Sequence, residues 1–242
     1  MRVMAVLRGG RRARLAGVAV ALSAVWSGLS SAPAARAWSN GVDGCNAYGT
    51  HDWILDEALE ATGERTDWVR TRVALRATDD PDCRDGIDHA SGTWWHVYDR
   101  WGDVYGGADE AAAVWFRRAQ ARLDAGRERA ASKALGYLAH IVSDVANPLH
   151  TDQRDREENV HSSYEDGVDR RVSVYRFRYD GMDAASPARK VRRIASAAHR
   201  SYFELLREYD RSGYSRTVHR ITKRQLGRAS NGLADLLTSL TR

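Results

Sequence analysis

Apolar residues recur every three or four positions along most of this chain, which is the spacing of helices with one buried face. The predicted helices begin at Thr50, cover 65–77, 108–124 and 128–146, begin again near His161 and at Pro187, and finish with 217–240. No stretch alternates convincingly between apolar and polar residues as a half-buried strand does, and no segment repeats. The pattern therefore predicts an all-α protein with a single compact multi-helix domain.

Local signals mark several helix ends and one long loop. Thr50 is predicted to cap the first helix, and Ser186-Pro187 is a cap followed by a proline in the first turn. Asn147-Pro148 is expected to end the helix over 128–146. Residues 78–107 are rich in aspartate, glycine and aromatic side chains, and we expect a long functional loop there.

The first 37 residues have the composition of a secretory signal. They hold six arginines and no acidic residue, then the apolar stretch LAGVAVALSAVWSGL, and they end in Ala35-Arg36-Ala37. We expect cleavage after Ala37, which leaves a secreted, extracellular domain over 38–242. The pair Arg11-Arg12 also fits twin-arginine export, so that route and the general secretory route both stay open.

Removal of this signal changes the charge of the protein. The signal carries six of the 37 basic residues and none of the 32 acidic ones, so the mature part has a formal charge of −1 instead of +5. A nucleic-acid partner bound through net positive charge is therefore not indicated. No second apolar run of 18 residues follows, so we expect no transmembrane segment. Cys45 and Cys83 are expected to form a disulfide in an exported protein, the alternative being two free thiols.

Candidate chemistry is concentrated in a stretch of 26 residues. His140 and Asp144 are four positions apart on one face of a largely apolar helix, and His161 and Glu165 repeat that spacing beyond His150. Taken alone, the first pair would be a buried hydrogen bond in the core. Together, three histidines and two carboxylates favour a metal site, because imidazole nitrogen and carboxylate oxygen both suit zinc.

These residues resemble the signature of the zinc-dependent phospholipase C family, which shares its fold with the S1/P1 nucleases. The family pattern His-x3-Asp-x5-His, followed by a His-x3-Glu pair, is matched by His140, Asp144, His150, His161 and Glu165. The resemblance implies the helical fold of that family for 38–242.

Four further positions of the family find a match nearer the N-terminus. The family's mature chain begins with a tryptophan, here Trp38, and its bacterial phospholipases place a histidine thirteen residues later, here His51 in GTHDW. An aspartate precedes the histidine of an aromatic motif, and here Asp82 stands fourteen residues before His96 in HVYD. The nine matched positions occur in the family's order.

The resemblance implies three zinc ions. The first would be bound by Asp82, His96, His140 and Asp144, the second by Trp38 (through its amine and carbonyl), His51 and Asp144, and the third by His150, His161 and Glu165. Asp144 would bridge the first two ions. Zinc ions so placed would activate water as hydroxide for attack on phosphorus, with Asp82 as the side chain expected to assist as base.

Some positions compete with this assignment or depart from the family. Three other aspartates near Asp82 offer alternatives for the ligand position: Asp79, Asp80 and Asp85. His89 in the same loop is expected to be an ordinary residue, the alternative being contact with substrate. His199 and His219 are expected to be ordinary surface or core residues. The positions that bind choline in the family are occupied by Gly41, Cys83 and Thr93, so the head-group preference stays open.

We therefore predict a secreted, monomeric phospholipase C that converts glycerophospholipids at a membrane or micelle surface to diacylglycerol and a phosphorylated head group. An S1/P1-type single-strand nuclease or 3′-nucleotidase is one alternative, and a zinc-binding relative without enzymatic activity is another. The separation of Trp38 from His51 and the sequence HSSYE favour the phospholipases, since the nucleases have a shorter separation and usually an aspartate in the last pair. The lipid-binding β-sandwich of the family's toxin-like members is not expected, because the chain ends at Arg242 after a helix.

Overall fold

The computed structural model of the protein describes residues 47–83, 107–151, 158–181, 183 and 186–241. The α-helices in this part of the chain are α1 (Thr50–Thr62), α2 (Thr71–Cys83), α3 (Ala108–Asp124), α4 (Glu128–Asp144), α5 (Glu158–Asp169), α6 (Pro187–His199), α7 (Tyr202–Ser212) and α8 (Arg216–Leu240). Short 3-10 turns lie at Gly63–Thr66, Pro148–Thr151 and Val172–Val174. No strand occurs among these residues, and the predicted all-α class is confirmed. None of the helices described is long and apolar enough to cross a membrane.

Helix α4 is at the centre of the packing. Helices α2 and α3 lie along α4, α6 packs on α3, and α8 packs on both α1 and α4. The α4 side chains Leu135, Leu138 and Val142 are fully buried. Each such side chain stabilises the fold by about 1.5–3 kcal/mol through its removal from water. Because its neighbours pack on several sides, α4 is held firmly in place. Its polar residues are consequently fixed in position.

Helices α2 and α4 approach each other most closely at Gly136. A Cβ atom at this position would lie 2.3 Å from the carbonyl oxygen of Ala74 and 2.5 Å from the Cβ of Ala77. The distance between packed helices depends on the side chains at their contact, so this separation requires glycine. One turn further along, Thr78 of α2 and His140 of α4 are brought together.

The predicted cap of α1 is wrong by one residue. Gly49 is the N-cap and Thr50 is already helical. The backbone N–H of Gly49 donates to Asp52 Oδ2 at 3.0 Å, so a carboxylate in the first turn accepts the hydrogen bond of the N-cap N–H. The N–H of Thr50 donates to Asp169 Oδ1 at 2.9 Å, and its hydroxyl binds the same oxygen. A contact with α5 therefore takes the hydroxyl that was expected to cap α1.

The second predicted helix is displaced along the chain. It was expected over 65–77, whereas α2 runs from Thr71 to Cys83 and includes the start of the predicted loop over 78–107. Pro81 lies in the last turn of α2. A proline near a helix end removes one hydrogen bond, here to the carbonyl of Ala77, without interrupting a long helix. Asp82 is therefore on a helix and not in a loop.

The other helices lie close to their predicted positions, with one division. The helix expected over 128–146 ends at Asp144, and the one expected near His161 begins at Glu158. The single helix expected from Pro187 is two helices, α6 and α7, separated at 200–201. The predicted apolar face continues across that break, since all six of its residues are buried: Val191, Ile194, Ala195, Ala198, Tyr202 and Leu205.

Candidate metal centre

Three helices bring imidazole and carboxylate groups together at the C-terminal end of α4. His140 comes from α4, His51 from the first turn of α1 and Asp82 from the last turn of α2. The ligand atoms that these three residues offer lie within 4.8 Å of one another. His140 Nε2 is 3.7 Å from Asp82 Oδ1, and the His51 and His140 ring centroids are 4.6 Å apart. We refer to His51, Asp82 and His140 as the first donor group.

A second donor group lies beyond the end of α4. It consists of His150 from the turn Pro148–Thr151 and of His161 and Glu165 from α5, with ligand atoms again within 4.8 Å of one another. Glu165 Oε1 is 3.1 Å from His150 Nε2 and 2.8 Å from His161 Nε2. One carboxylate oxygen is thus shared by two imidazoles, as in the sequence-based grouping of these residues.

Asp144 lies between the two donor groups. Its Oδ1 is 3.0 Å from His51 Nε2, and its Oδ2 is 3.1 Å from His140 Nε2. The same Oδ2 is 3.8 Å from Nδ1 of His150 in the second group. The Asp144 side chain is fully buried. A single carboxylate, with both oxygens directed at imidazoles, therefore links the two groups.

Asn147 fixes the chain as it leaves α4. Its side-chain Nδ2 donates to Glu165 Oε1 at 2.9 Å, and its Oδ1 accepts from the backbone N–H of Leu149 at 3.0 Å. Asn147 itself is fully buried. One side chain therefore both shapes the turn that carries His150 and orients the carboxylate of Glu165. From the sequence, Asn147 was predicted only to help end the helix. The presence of a polar residue in an apolar stretch was the signal that could have indicated its contact with Glu165.

A backbone carbonyl sets the orientation of His140. Its Nδ1 is 2.8 Å from the carbonyl oxygen of Thr78. A carbonyl can only accept, so Nδ1 carries the hydrogen, and in a neutral ring Nε2 presents a lone pair to the first donor group. Histidines that bind metals usually donate their second N–H in this manner. Thr78 was not identified from the sequence, because a backbone contact leaves no pattern of residue types.

The charges of the first donor group favour a cation. Burial alone would lower the pKa of His140, but the carboxylates of Asp144 and Asp82 outweigh it and raise that pKa to about 9. Burial raises the pKa of Asp82, with Asp144 adding to the effect and His140 opposing it. Two carboxylates, Asp144 fully buried and Asp82 largely so, therefore favour positive charge in this group. Their oxygens and the imidazole nitrogens form a donor set that fits zinc.

The second donor group also holds an ionised carboxylate beside imidazoles. Burial would raise the pKa of Glu165, but the charges and hydrogen bonds of His161 and His150 outweigh burial and lower it. Glu165 is therefore held as an ionised carboxylate against two imidazoles. Three ligand side chains, one of them anionic, are the usual protein contribution to a zinc site with an open position.

The structure distinguishes between the aspartates of α2. Asp80 accepts from the Tyr137 hydroxyl at 3.0 Å and lies 3.4 Å from Lys133 Nζ, and Asp79 is 3.3 Å from the hydroxyl of Thr78. Among the described aspartates that competed for the ligand position, Asp82 is the one in the first donor group. Trp38, Cys45, Asp85, His89 and His96 lie outside the described residues, as does the predicted signal over 1–37.

The two remaining described histidines are engaged elsewhere. His199 Nδ1 donates to the carbonyl of Thr151 at 3.0 Å, which holds the end of α6 against the turn that bears His150. His219 stacks on the ring of Tyr175 at 4.9 Å. Both are half-buried, as expected of ordinary surface or core residues.

Two solved structures similar to this chain are alpha-toxins of clostridia. The alpha-toxin of Clostridium perfringens from an avian strain matches with a TM-score of 0.64 at 15% sequence identity, over 80% of this chain and 63% of the toxin. The alpha-toxin of Clostridium absonum matches with a TM-score of 0.66 at 16% identity, over the same shares. The chain thus spans less than two thirds of the length of either toxin. No protein-family model and no curated protein matches the sequence.

The likeness to the alpha-toxins establishes the fold. The helical architecture predicted from the resemblance is confirmed by these neighbours. At 15–16% identity the comparison carries the arrangement of helices and not the activity. The site must be argued from the two donor groups and Asp144.

Proposed function

We propose that the protein is a secreted phosphodiesterase that uses three zinc ions and acts as a phospholipase C on glycerophospholipids. The observation that carries this proposal is the position of Asp144 between two buried donor groups. Several adjacent cations suit hydrolysis of a phosphodiester, because the attacking and leaving oxygens both carry negative charge in the transition state. The fold shared with clostridial alpha-toxins is compatible with this activity, and the choice of a phospholipase over a nuclease rests on the separation of Trp38 from His51 and on the sequence HSSYE.

The zinc ions would be distributed as the sequence resemblance implies. Asp82, His140 and Asp144 would bind one ion together with His96, and His51 and Asp144 would bind another together with the amine and carbonyl of Trp38. The second donor group would bind the third. Zinc in these positions would supply Lewis acidity towards phosphate oxygens and would activate water near neutral pH.

Asp82 is the residue of the first donor group that solvent can reach. Its side chain is 14% exposed, whereas those of His140 and Asp144 are 1% and 0% exposed. A proton taken from water must be accepted by an accessible group within hydrogen-bond reach of the reacting water. We therefore assign the general base to Asp82, and the positioning of imidazoles and carboxylates to the buried residues.

Two conservative variants on the same helix test this assignment. Asp82→Asn should lower kcat by about a hundredfold or more, the usual contribution of general base catalysis combined with a weakened ligand. Asp80→Asn makes the same chemical change at a carboxylate bound to Tyr137 outside the donor groups, so kcat should stay near wild type. Equal activity of the Asp82→Asn variant and the wild type would remove Asp82 from the mechanism.

Metal analysis and a substrate panel test the proposed activity. The mature protein should contain three zinc ions, and it should release phosphorylated head groups from phospholipid but no nucleotides from single-stranded DNA or RNA. Nucleolysis or 3′-nucleotidase activity without lipid cleavage would reject the phospholipase in favour of the nuclease alternative. Bound zinc without either activity would indicate the non-enzymatic alternative.

Processing of the N-terminus gives a separate test of Trp38. If its free amine is a ligand, a chain that begins with a retained methionine before Trp38 should bind fewer zinc ions and lose most of its activity. Full zinc content and unchanged turnover in that chain would contradict the assignment. Mass spectrometry of the secreted protein would also show whether it begins at Trp38 and whether Cys45 and Cys83 are bridged.

A further inference from the structure

Charge is divided unevenly between the two parts of the mature chain. Residues 38–169 contain 14 basic and 26 acidic residues, whereas residues 170–242 contain 17 basic and 6 acidic residues. The near-zero total therefore hides a strongly basic C-terminal part. An asymmetry of this kind is typical of proteins that bind an anionic surface or polymer.

Many of these cations line one groove between α6, α8 and the segment before α6. The groove has a volume of about 620 Å³. Its basic residues are Arg176, Arg178, Lys190, Arg193, Arg220, Lys223, Arg224 and Arg228, and its acidic residues are Asp180, Asp183 and Asp235. We call this feature the basic groove.

Ion pairs within the basic groove neutralise most of its carboxylates. Buried Lys190 has its Nζ 2.5 Å from Asp235 Oδ2 and 3.0 Å from Asp183 Oδ2. Arg193 also binds Asp183, at 2.8 Å. Asp183 and Asp235 are thus neutralised by Lys190 and Arg193, which leaves Asp180 as the third carboxylate against the other six cations of the groove.

The cations that remain are exposed and close together. Arg178, Lys223 and Arg224 are exposed and form no ion pair with a carboxylate of the described chain. Arg228 is half-buried beside them, and its pKa is lowered by burial first and then by the neighbouring charges of Arg224 and Arg200. These positive charges repel one another, and a bound anion would reduce that repulsion.

The basic groove lies near the turn that carries His150 of the second donor group. Arg228 donates to the carbonyl of Ala197 on α6. Two residues further along α6, His199 contacts Thr151, which follows His150 in the turn. Ala197, which lines the groove, and His199 are therefore about 3 Å apart along the axis of α6 at a rise of about 1.5 Å per residue.

Two exposed apolar side chains are chain neighbours of residues that bind groove arginines. Val174 is 60% exposed in a turn to which Arg176 is tied by a hydrogen bond to Ser173 O, and Phe203 is 53% exposed beside Glu204, which binds Arg220. Cations accompanied by exposed apolar side chains are typical of proteins that bind at a lipid surface. Stacking of successive bases of single-stranded nucleic acid would require several exposed aromatic rings inside the groove. Phe203 is not among the residues that line the groove, and Phe177, which does line it, is packed against the core.

We propose that the basic groove binds the anionic head groups of a phospholipid surface and thereby holds the donor groups at the membrane. This inference rests on the proposed phospholipase function, because it supplies the surface on which that substrate is found. Substrate head-group selection at the metal centre and attachment through the groove would be separate properties.

A variant that removes three exposed cations tests the proposal. Arg178→Gln, Lys223→Gln and Arg224→Gln are combined, and cosedimentation is measured with mixed phosphatidylglycerol–phosphatidylcholine vesicles in the presence of a chelator, so that no lipid is hydrolysed. Circular dichroism verifies that the protein stays folded. Each cation near an anionic surface contributes about fivefold to binding, so the variant should bind about a hundredfold more weakly. Binding of the wild type should also weaken with added salt and be slight on pure phosphatidylcholine.

A matched variant controls for net charge. Arg65→Gln, Arg117→Gln and Arg122→Gln remove three exposed arginines that lie outside the groove, and vesicle binding should stay within about twofold of wild type. Equal losses in both variants, or no loss in the groove variant, would overturn the proposal. The groove variant should still hydrolyse a soluble short-chain phosphodiester at the wild-type rate.

Two further results separate the possible failures. Binding of the wild type to single-stranded DNA more tightly than to the vesicles, with loss in the groove variant, would assign the groove to nucleic acid and overturn the lipid proposal. Specific vesicle binding together with no lipid hydrolysis by the metal-loaded protein would reject the proposed enzyme while it supports the groove.

Discussion

Gly136 stands where α2 and α4 are in direct contact, and it offers a mechanical test of the candidate metal centre. A methyl group added there would lie 2.3 Å from the carbonyl oxygen of Ala74 and 2.5 Å from the Cβ of Ala77. Neither atom can rotate away, so α2 has to move by about 1 Å to restore van der Waals contact. That movement would carry Thr78 away from Nδ1 of His140, one turn from the substitution.

The effect of Gly136→Ala on stability combines two opposing terms. Overpacking a core costs about 1–3 kcal/mol, and contact with backbone places this site in the upper half of that range. Replacing glycine by alanine within a helix returns about 1 kcal/mol. We expect a net loss of about 1–2 kcal/mol in the free energy of unfolding. Loss of the hydrogen bond to His140 should lower zinc affinity by about 10–100-fold.

Gly227→Ala provides the matched control. Gly227 also lies within a helix, α8, but a Cβ there would meet nothing within 4 Å. This variant should be up to about 1 kcal/mol more stable than wild type and bind zinc normally. Denaturant unfolding and zinc competition with a chelator measure both quantities. Wild-type stability and zinc affinity in Gly136→Ala would refute the close contact of α2 with α4 and its control of His140.

Other predictions concern groups that act through their neighbours. Asn147→Ala should lower zinc occupancy at the second donor group, measured by elemental analysis, since Glu165 loses a hydrogen bond at 2.9 Å; unchanged occupancy would make Asn147 a turn former only. Lys190→Met should destabilise by about 3–5 kcal/mol in thermal unfolding because Asp235 is left buried without its cation, whereas the double variant with Asp235→Leu should recover much of that loss. In chelator-treated protein, the pKa of His140 is about 9 when folded and about 6.5 when unfolded. Its protonation should therefore stabilise the folded state by a free energy on the order of 3 kcal/mol. This stabilisation is fully present below pH 6.5 and is lost as the pH rises through 9. A flat unfolding free energy over that interval would contradict the charge assigned to the first donor group.

The helices and the order of the donor residues were accessible from sequence because both depend on spacing. His140 and Asp144 share a face by helical period alone, and so do His161 and Glu165. The same period located α3 at its observed bounds. Spacing did not suffice for α2, whose predicted bounds of 65–77 were wrong by six residues at each end.

What the sequence did not reveal depends on contacts between distant segments. Thr50 was expected to cap α1, but Asp169, 119 residues away, binds its hydroxyl. Asp82 was predicted to lie in a loop because proline usually ends a helix, but α2 packs on α4 at Gly136 and continues past Pro81. The basic groove could not be predicted from spacing, because its cations are scattered from 176 to 228 and are brought together only by the packing of α6 and α8.

The direction of α4 has its own electrostatic consequence. Both His140 and Asp144 lie in its last turns, and the backbone carbonyl of Asp144 already accepts from the N–H of Asn147 at 2.9 Å. The aligned peptide dipoles of a helix give its C-terminal end about half a negative charge, which stabilises a nearby cation by up to about 2 kcal/mol when partly buried. The backbone of α4 therefore attracts positive charge to the same place as its side chains do. A variant that neutralises one carboxylate should retain part of this attraction, because peptide dipoles cannot be removed by substitution.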